Sequence, residues 1–199
     1  MSCNEKDISL IGFMGCGKSS VGKILASLLP DCHQIDLDTY IEEKQGKNIP
    51  EIFNEYGEAA FRRMEREALE EIFRDPDRPR AILSLGGGTV TSGQCRQLIR
   101  RHTDCFYLRA TTDTLLSNLE GHSEGRPMLN PTQPVEAQST ETSSEREALR
   151  HRIESLMQTR SPQYLATAHH IIDIDGLSFA QIAEIIKEAV ETNTLNIKR

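Results

Sequence analysis

The sequence predicts an α/β fold of three layers, in which helices cover both faces of a central parallel sheet of about five strands. Short apolar runs alternate along the chain with longer segments whose apolar residues recur at helical spacing. The first apolar run also passes through a glycine-rich turn straight into a helical pattern. Strands joined by helices in this way form right-handed crossovers, so the strands of the sheet are predicted to be parallel.

Each predicted element has its own pattern. The first strand is "DISLIGF", and the helix after it, "GKSSVGKILASLL", gathers its apolar residues on one face. Next come the strand "HQIDLD" and helical patterns in "TYIEEKQG", "IPEIFNEYG" and "EAAFRRMEREALEEIF". The third strand, "RAILSLGGG", precedes the helix "SGQCRQLIRR" and the strand "DCFYLRA". The last elements are the helix "TDTLLSNLEG", the stretch "SEREALRHRIESLMQTRSPQY", the strand "HHIIDI" and the helix "SFAQIAEIIKEAVE".

Length and composition favour one globular domain, 1–199. Of the 199 residues, 37% are hydrophobic and 27% are charged, which is ordinary for a protein that buries a core. A formal net charge of -7 argues against nucleic acid as the main partner, because a phosphate backbone requires a basic surface. No apolar run approaches the length of a membrane span, and the N-terminus lacks the pattern of a signal peptide. We expect a monomer with small-molecule partners.

Neither the cysteines nor the histidines predict a transition-metal site. The five cysteines are odd in number and include no close C-x-x-C pair, which favours a reducing, cytoplasmic location over a disulfide framework. His169 and His170 begin the last strand, where no acid or cysteine is spaced to complete a metal site. We therefore predict a structural role for both.

Residues Gly12 to Ser19 fit the pattern G-x-x-x-x-G-K-S/T in full. Its glycines let main-chain N–H groups converge on phosphate oxygens at the positive end of the following helix. Lys18 is expected to reach the β- and γ-phosphates, and Ser19 to bind Mg²⁺. The alternative is a turn that only joins a strand to a helix, but both flanks match the phosphate-binding context. The predicted ATP contacts are Gly15, Cys16, Gly17, Lys18, Ser19 and Ser20, with Cys16 as a tolerated small residue and not a nucleophile.

Two acids, Asp36 and Asp38, end the second predicted strand. Residues i and i+2 of a strand point to the same face, so both carboxylates are expected to face one cleft at the strand ends. Asp36 would hold magnesium through water, and Asp38 would bind or deprotonate a hydroxyl. The alternative is that one of them caps the following helix, a role that suits Asp38.

The helical pattern "FRRMERE" places Glu65 almost within the apolar stripe, where a carboxylate needs a partner. Arg62, one turn earlier, is well placed to be that partner. One interpretation is an ion pair and nothing more. The other is that Glu65 orients Arg62 toward an anion in the cleft, and a planar guanidinium suits a carboxylate particularly well.

Further candidates lie at a strand end and in a polar stretch. Three glycines, Gly86, Gly87 and Gly88, would let a ligand approach bare backbone. The stretch "GHSEGRPMLNPTQPVEAQSTETSSE" contains three prolines and Arg126, and we expect a mobile surface excursion there. Arg160 is predicted to end a helix before "SPQY". Taken alone, Arg126 and Arg160 would each more often be a solvent-exposed surface residue than a ligand-binding one.

Taken together, these motifs resemble the shikimate kinase family of nucleoside-monophosphate-kinase-like P-loop NTPases over nearly the whole chain. The resemblance lies in "GFMGCGKSS", "DLD", "GEAAFRRME", "SLGGGTV", "RPML" and "RSPQY", in the family's order and roughly its spacing. It implies a substrate-binding helical segment at about 38–75 and a mobile lid at about 117–145. It also implies Mg²⁺-dependent transfer of the ATP γ-phosphoryl group to the 3-hydroxyl of shikimate, on the route to chorismate and the aromatic amino acids.

The resemblance also implies roles for residues of the acceptor site. Asp38 would contact the shikimate hydroxyls as the catalytic base. Arg62 and Arg160 would bind the carboxylate, and the backbone at Gly87, with Gly86 and Gly88 beside it, would pack against the ring.

On the nucleotide side, Lys18 and Arg126 are the implied catalytic cations, and Arg126 would come from the closing lid. Asp36 and Ser19 would support magnesium. The chain departs from the family near Asn118, where an arginine usually stacks on the adenine. Two other functions share part of the pattern: a kinase for another hydroxy acid such as gluconate, and a nucleotide-binding regulator that performs no transfer.

Overall fold

Strands and helices alternate in the computed structural model, which describes residues 6–119 and 141–191. The strands are β1 (Asp7–Ile11), β2 (Cys32–Asp36), β3 (Arg80–Ser84), β4 (Thr103–Arg109) and β5 (His170–Asp173). The helices are α1 (Lys18–Leu28), α2 (Leu37–Gln45), α3 (Ile49–Arg74), α4 (Gly93–His102), α5 (Thr112–Leu119), α6 (Glu141–Thr167) and α7 (Phe179–Glu191). A short 3-10 turn covers Thr89–Thr91. The five strands are all parallel, in the order β2-β3-β1-β4-β5.

Helices cover both faces of this sheet, as the three-layer prediction requires. On β4, Phe106 and Leu108 pack into a core shared with α1 and α7, whereas Cys105 and Tyr107 enter a second core with α3 and α4. A strand buried on both faces must be apolar at successive positions, which explains the continuous apolar runs in the sequence. Within the described ranges, no helix has both the length and the apolar content that crossing a membrane requires.

The phosphate-loop strand, β1, stands in the middle of the sheet. Strands β3 and β2 lie on one side of it, and β4 and β5 lie on the other. Because all five strands are parallel, the loops that follow them open at the same edge of the sheet, where α/β proteins bind their ligands.

Two element boundaries differ from the prediction. β2 ends at Asp36, so Asp38 lies in the first turn of α2 and not on a strand. The pairing of β2 with β3 ends at Asp36 and Ser84, after which the chain turns into the helix. Arg160 does not end a helix, because α6 continues through Pro162 to Thr167.

The helix α3 contains a break at Gly57. This residue has a φ of 76° and a ψ of 170°, which is not helical. The break divides the two helical patterns that the sequence predicted separately, and it lies just before the segment that carries Arg62. Most of the predicted lid, including Arg126, lies outside the described residues; the flanks that are described belong to α5 and α6.

Candidate active site

The phosphate loop has the backbone conformation that its glycines predict. Gly15 and Gly17 have φ values of 83° and 86°, in the left-handed region that favours glycine. A Cβ at Gly15 would lie 2.9 Å from the Leu119 Cγ, and a Cβ at Gly17 would overlap the ring of Phe179. The loop ends where α1 begins, so its main-chain N–H groups stand at the positive end of that helix.

Lys18 is held within this loop. Its Nζ donates to Gly12 O at 3.0 Å and to Phe13 O at 2.9 Å, and it also contacts the Cys16 Sγ. The thiol of Cys16 is fully buried in the core, so the cysteine presents only its main chain to a ligand. The loop thus combines converging amides with one positioned ammonium group, as an anion site requires.

A cavity of about 540 Å³ opens beside the loop and gathers residues from separate parts of the chain. Its lining consists of Met14, Gly15, Gly17, Lys18, Ser19, Ser20, Asp36, Asp38, Leu85, Gly86, Gly87, Asn118 and Phe179. Nine of the predicted site residues therefore meet in one space: Gly15, Gly17, Lys18, Ser19, Ser20, Asp36, Asp38, Gly86 and Gly87.

Asp36 connects the phosphate loop to α2. The Ser19 hydroxyl donates to its Oδ2 at 2.5 Å, and its Oδ1 accepts the N–H groups of Asp38 at 3.2 Å and Thr39 at 3.4 Å. Asp36 is therefore the helix cap, a role that the sequence had suggested for Asp38. A hydroxyl beside a carboxylate fits magnesium, which prefers oxygen ligands and keeps several waters. Among the described residues, no group of three or more His, Cys, Asp or Glu side chains is arranged to hold a metal ion.

Asp38 carries a buried oxygen, Oδ1, with no hydrogen-bond partner. Its pKa is raised to about 7, mainly by burial and then by the negative charges of Glu65 and Asp36, while Lys18 and Arg62 act against the shift. A carboxylate with a pKa near neutrality and a free acceptor atom is suited to take a proton from a bound hydroxyl.

Arg62 is clamped by two carboxylates. Its Nη1 donates to the Glu65 Oε2 at 2.7 Å, and its Nη2 donates to the Glu58 Oε1 at 3.0 Å. Glu65 is fully buried, and the Thr89 hydroxyl donates to its other oxygen, Oε1. Burial raises the pKa of Glu65, and the neighbouring Arg62 opposes that shift. The predicted pairing of Glu65 with Arg62 is confirmed.

Glu58 and Thr89 complete this network, although the sequence pattern indicated neither as a partner of Arg62 or Glu65. Glu58 stands one helical turn before Arg62, a spacing that supports an ion pair. Thr89 directly follows the triple glycine, and nothing in the local pattern indicates that its hydroxyl meets a residue 24 positions away.

The triple glycine separates this network from the phosphate loop. A Cβ at Gly86 would lie 2.9 Å from both the Asp38 Oδ1 and the Glu65 Oε1. A Cβ at Gly87 would lie 3.1 Å from the main-chain nitrogen of Met14, and one at Gly88 would overlap the guanidinium of Arg62. Side chains at these positions would displace the acids, the arginine or the loop.

Arg160 approaches the same glycines from α6. It is 3% exposed, its Nη1 donates to Gly87 O at 3.4 Å, and its guanidinium lies 5.9 Å from the ring centre of Phe13. The Tyr164 hydroxyl, one turn later on α6, donates to the same carbonyl oxygen. Burial lowers the pKa of Arg160, and Arg62 nearby lowers it further. Two guanidinium groups thus lie at the triple glycine, Arg62 at Gly88 and Arg160 at Gly87, an arrangement that attracts an anion.

Comparisons with known proteins agree with this geometry. The sequence model of the family described as "Shikimate kinase" matches residues 14–191. The shikimate kinase of Thermus thermophilus is 36% identical, over 92% of this chain and 88% of its own. The shikimate kinase of Chlorobaculum tepidum is 40% identical, over 79% of this chain and 76% of its own.

A solved structure is similar over nearly its whole length. The shikimate kinase from Acinetobacter baumannii in complex with shikimate superposes with a TM-score of 0.82, at 29% identity and with 96% of each chain covered. Sequence model, relatives and three-dimensional structure all lead to the same assignment. The chain belongs to the shikimate kinase family.

Proposed function

We propose that this protein transfers the γ-phosphoryl group of ATP to the 3-hydroxyl of shikimate, giving shikimate 3-phosphate on the route to chorismate and the aromatic amino acids. Membership of the family supports the reaction, and the relative in complex with shikimate supports the acceptor. The observation that carries the proposal is the meeting of Asp38, Arg62 and Arg160 around the triple glycine, next to the phosphate loop.

The nucleotide end of the site binds and neutralises phosphate. The main chain of Gly15–Ser20 would bind the phosphate oxygens, and Lys18 would exchange its two carbonyl acceptors for phosphate oxygens. Ser19 and Asp36 would hold Mg²⁺, which supplies positive charge to the transferred group. Catalysis of this kind depends mainly on positioning and electrostatics.

The acceptor end would bind shikimate and remove its proton. Arg62 and Arg160 would bind the carboxylate, with Glu58, Glu65 and the Thr89 hydroxyl fixing the direction of Arg62. Asp38 would accept the proton of the attacking hydroxyl, because Asp38 lines the cavity that also contains the phosphate loop and its Oδ1 has no hydrogen-bond partner. We propose that Arg126 meets the ATP phosphates from a lid at about 117–145, which lies largely outside the described residues.

We also propose a cytoplasmic monomer. Cys16, Cys95 and Cys105 are free thiols, which favours a reducing compartment. Light scattering during size-exclusion chromatography would test the oligomeric state.

A coupled assay of ADP release tests the function. We expect turnover with shikimate, little with gluconate, and little without an acceptor, because closure around the acceptor keeps water from the phosphoryl group. Preference for gluconate would indicate a different hydroxy-acid kinase. A rate of ADP release that is the same with and without an acceptor, or no ADP release under any condition, would favour a nucleotide-binding regulator.

A further inference from the structure

The second strand carries two polar side chains that contact the start of α1. Gln34 and Asp36 are two positions apart on β2, so their side chains leave the same face of the sheet. Asp36 accepts the hydroxyl of Ser19, and the Gln34 Nε2 donates to the main-chain oxygen of the same serine at 3.0 Å. Because a carbonyl oxygen can only accept, this contact also fixes which end of the Gln34 amide points to Ser19. β2 therefore holds Ser19 by both its side chain and its main chain.

A buried serine of β3 extends this contact to the preceding residue of the helix. The Ser84 hydroxyl donates to Lys18 O at 3.2 Å and accepts from the Gln34 Nε2 at 3.4 Å. Carbonyl groups inside a helix already accept the N–H group four residues later. The bonds from Gln34 and Ser84 are therefore additional to those of the helix, and they fix the first turn of α1 against β2 and β3.

Gly22 leaves the room that these contacts need. It is buried one turn after Lys18 on α1, and a Cβ there would lie 2.7 Å from the Ser84 Oγ and 3.0 Å from the Gln34 Nε2. Glycine lowers the stability of a helix interior relative to alanine. The helix therefore gives up propensity where it approaches the two polar side chains, and in return Lys18 and Ser19 have a fixed position.

We propose that Gln34 is a positioning residue for the magnesium-binding part of the site, acting through the main chain of Ser19. The inference rests on the proposed function, in which Ser19 and Asp36 hold Mg²⁺. Gln34 does not itself line the cavity, so it acts from behind Ser19. Mg²⁺ requires nearly ideal octahedral geometry, so a small displacement of the Ser19 hydroxyl weakens the site. Residues that orient metal ligands typically contribute about 10- to 100-fold to metal affinity.

Calorimetry with and without magnesium tests this role. The probe is β,γ-imido-ATP, which keeps the β- and γ-phosphate oxygens but resists transfer. The side chain in Gln34→Met has a similar length but no N–H donor. The Kd of the probe should rise about tenfold in excess Mg²⁺ and stay within about twofold of the wild-type value in EDTA. An equal weakening in both conditions would show that Gln34 supports the loop as a whole, and an unchanged Kd in both would also overturn the proposal.

Ser9→Ala is the control for lost stability. The Ser9 hydroxyl forms a buried 2.6 Å hydrogen bond with Thr103, between β1 and β4, and neither residue lines the cavity. This variant should unfold at a lower temperature but bind the probe as the wild type does, with and without Mg²⁺. If Ser9→Ala changes the magnesium dependence as Gln34→Met does, the effect belongs to general stability and not to Ser19.

Ser84→Ala gives a second, graded readout. It removes the bond to Lys18 O but keeps the bond from Gln34 to Ser19, so the Kd in Mg²⁺ should rise only about 2- to 3-fold. A larger magnesium-specific effect in Ser84→Ala than in Gln34→Met would contradict the role assigned to Gln34. A wild-type Kd that does not depend on Mg²⁺ would instead overturn the metal site of the proposed function, and the inference with it. Shikimate phosphorylation in the coupled assay is a separate result.

Discussion

The two ends of the candidate active site are built from different groups. At the acceptor end, charged side chains hold one another in place, as Glu58 and Glu65 do with Arg62. At the nucleotide end, the contacts come from main-chain groups of the phosphate loop and from the ring of Phe179. Main-chain groups bind any polyphosphate, whereas directed charges select one acceptor. Under the proposed function, specificity would therefore belong mainly to the acceptor end, and substitutions there should have the more selective effects.

The acceptor end also lowers the stability of the free protein. Asp38 and Glu65 are two neighbouring buried acids, and burial raises the pKa of both. The unpartnered oxygen of Asp38 costs folding free energy, which a bound substrate would recover. At the nucleotide end, Lys18 has carbonyl acceptors before any ligand binds.

The largest effect is expected for Asp38→Asn. Loss of the base should lower kcat by about 10²- to 10⁴-fold, while the KM for ATP changes little. The variant should unfold at a temperature equal to or above that of the wild type, because a neutral amide replaces an unpartnered carboxylate. Steady-state kinetics and thermal unfolding check both parts. The matched control is Asp31→Asn at an exposed aspartate. Near-normal turnover in Asp38→Asn would rule out Asp38 as the base.

Arg62→Ala should act mainly on substrate affinity. Removal of a charged hydrogen bond to the carboxylate should raise the KM for shikimate by about 10- to 100-fold, with a smaller change in kcat. Arg63→Ala, on the exposed face of the same helix, is the control and should behave as the wild type. Titration of shikimate by calorimetry measures the affinity directly. An unchanged affinity in Arg62→Ala would contradict the assigned role.

Tyr164→Phe should have a smaller effect on the same parameter. Gly87 O then keeps only its 3.4 Å bond from Arg160, and that guanidinium is drawn to the carbonyl and away from the substrate. We expect the KM for shikimate to rise about 2- to 10-fold, the range of one neutral hydrogen bond, with kcat largely retained.

The control for this hydroxyl is its stacked neighbour. Tyr107 is as buried as Tyr164, and the two ring centres lie 4.9 Å apart. Tyr107→Phe removes the same group from the same core without touching Gly87, so the KM for shikimate should not change. If both variants shift the KM equally, the effect belongs to core packing and not to the carbonyl.

The smallest effect concerns a structural histidine outside the cavity. His169 accepts the N–H of Cys105 through its Nδ1, and burial lowers its pKa from 6.5. The neutral ring stabilises the fold above about pH 6.5, and this contribution is lost as the pH falls toward the folded-state pKa, because the unfolded chain binds the proton first.

Urea unfolding between about pH 7 and pH 5 measures this contribution. His169→Asn keeps an acceptor oxygen but cannot titrate, so its stability should depend less steeply on pH than that of the wild type. His151→Asn, at an exposed histidine of α6, should leave the slope unchanged. If the free energy of unfolding depends equally on pH in His169→Asn and in the wild type, His169 does not contribute the pH-dependent stability proposed here.

Sequence patterns predicted the parts of the molecule that depend on neighbouring residues. Local spacing predicted the glycine-rich turn from Gly12 to Ser19 and the sheet whose strands alternate with helices along the chain. The backbone of the turn and the five-stranded sheet are both confirmed. The pairing of Arg62 with Glu65 was also predictable, because it lies within one helical turn.

Other features depend on distant contacts and could not be predicted in this way. Asp36 replaces Asp38 as the helix cap because β2 stops pairing with β3 at Asp36, and no local signal gives that point. Tyr164 and Gly87 meet although 77 positions separate them. Arg160 was predicted to end a helix, yet α6 continues past Pro162 and buries Tyr164 in the core.

The break at Gly57 gives the arginine-bearing half of α3 its own starting point. In a continuous helix, one inserted residue would turn every later side chain by about 100°. Here the left-handed glycine interrupts that rotation, and nothing lies within 4 Å of the place where its Cβ would be. Insertions or deletions upstream can therefore be absorbed at this joint, and natural variation in the preceding helices need not change the direction in which Arg62 points.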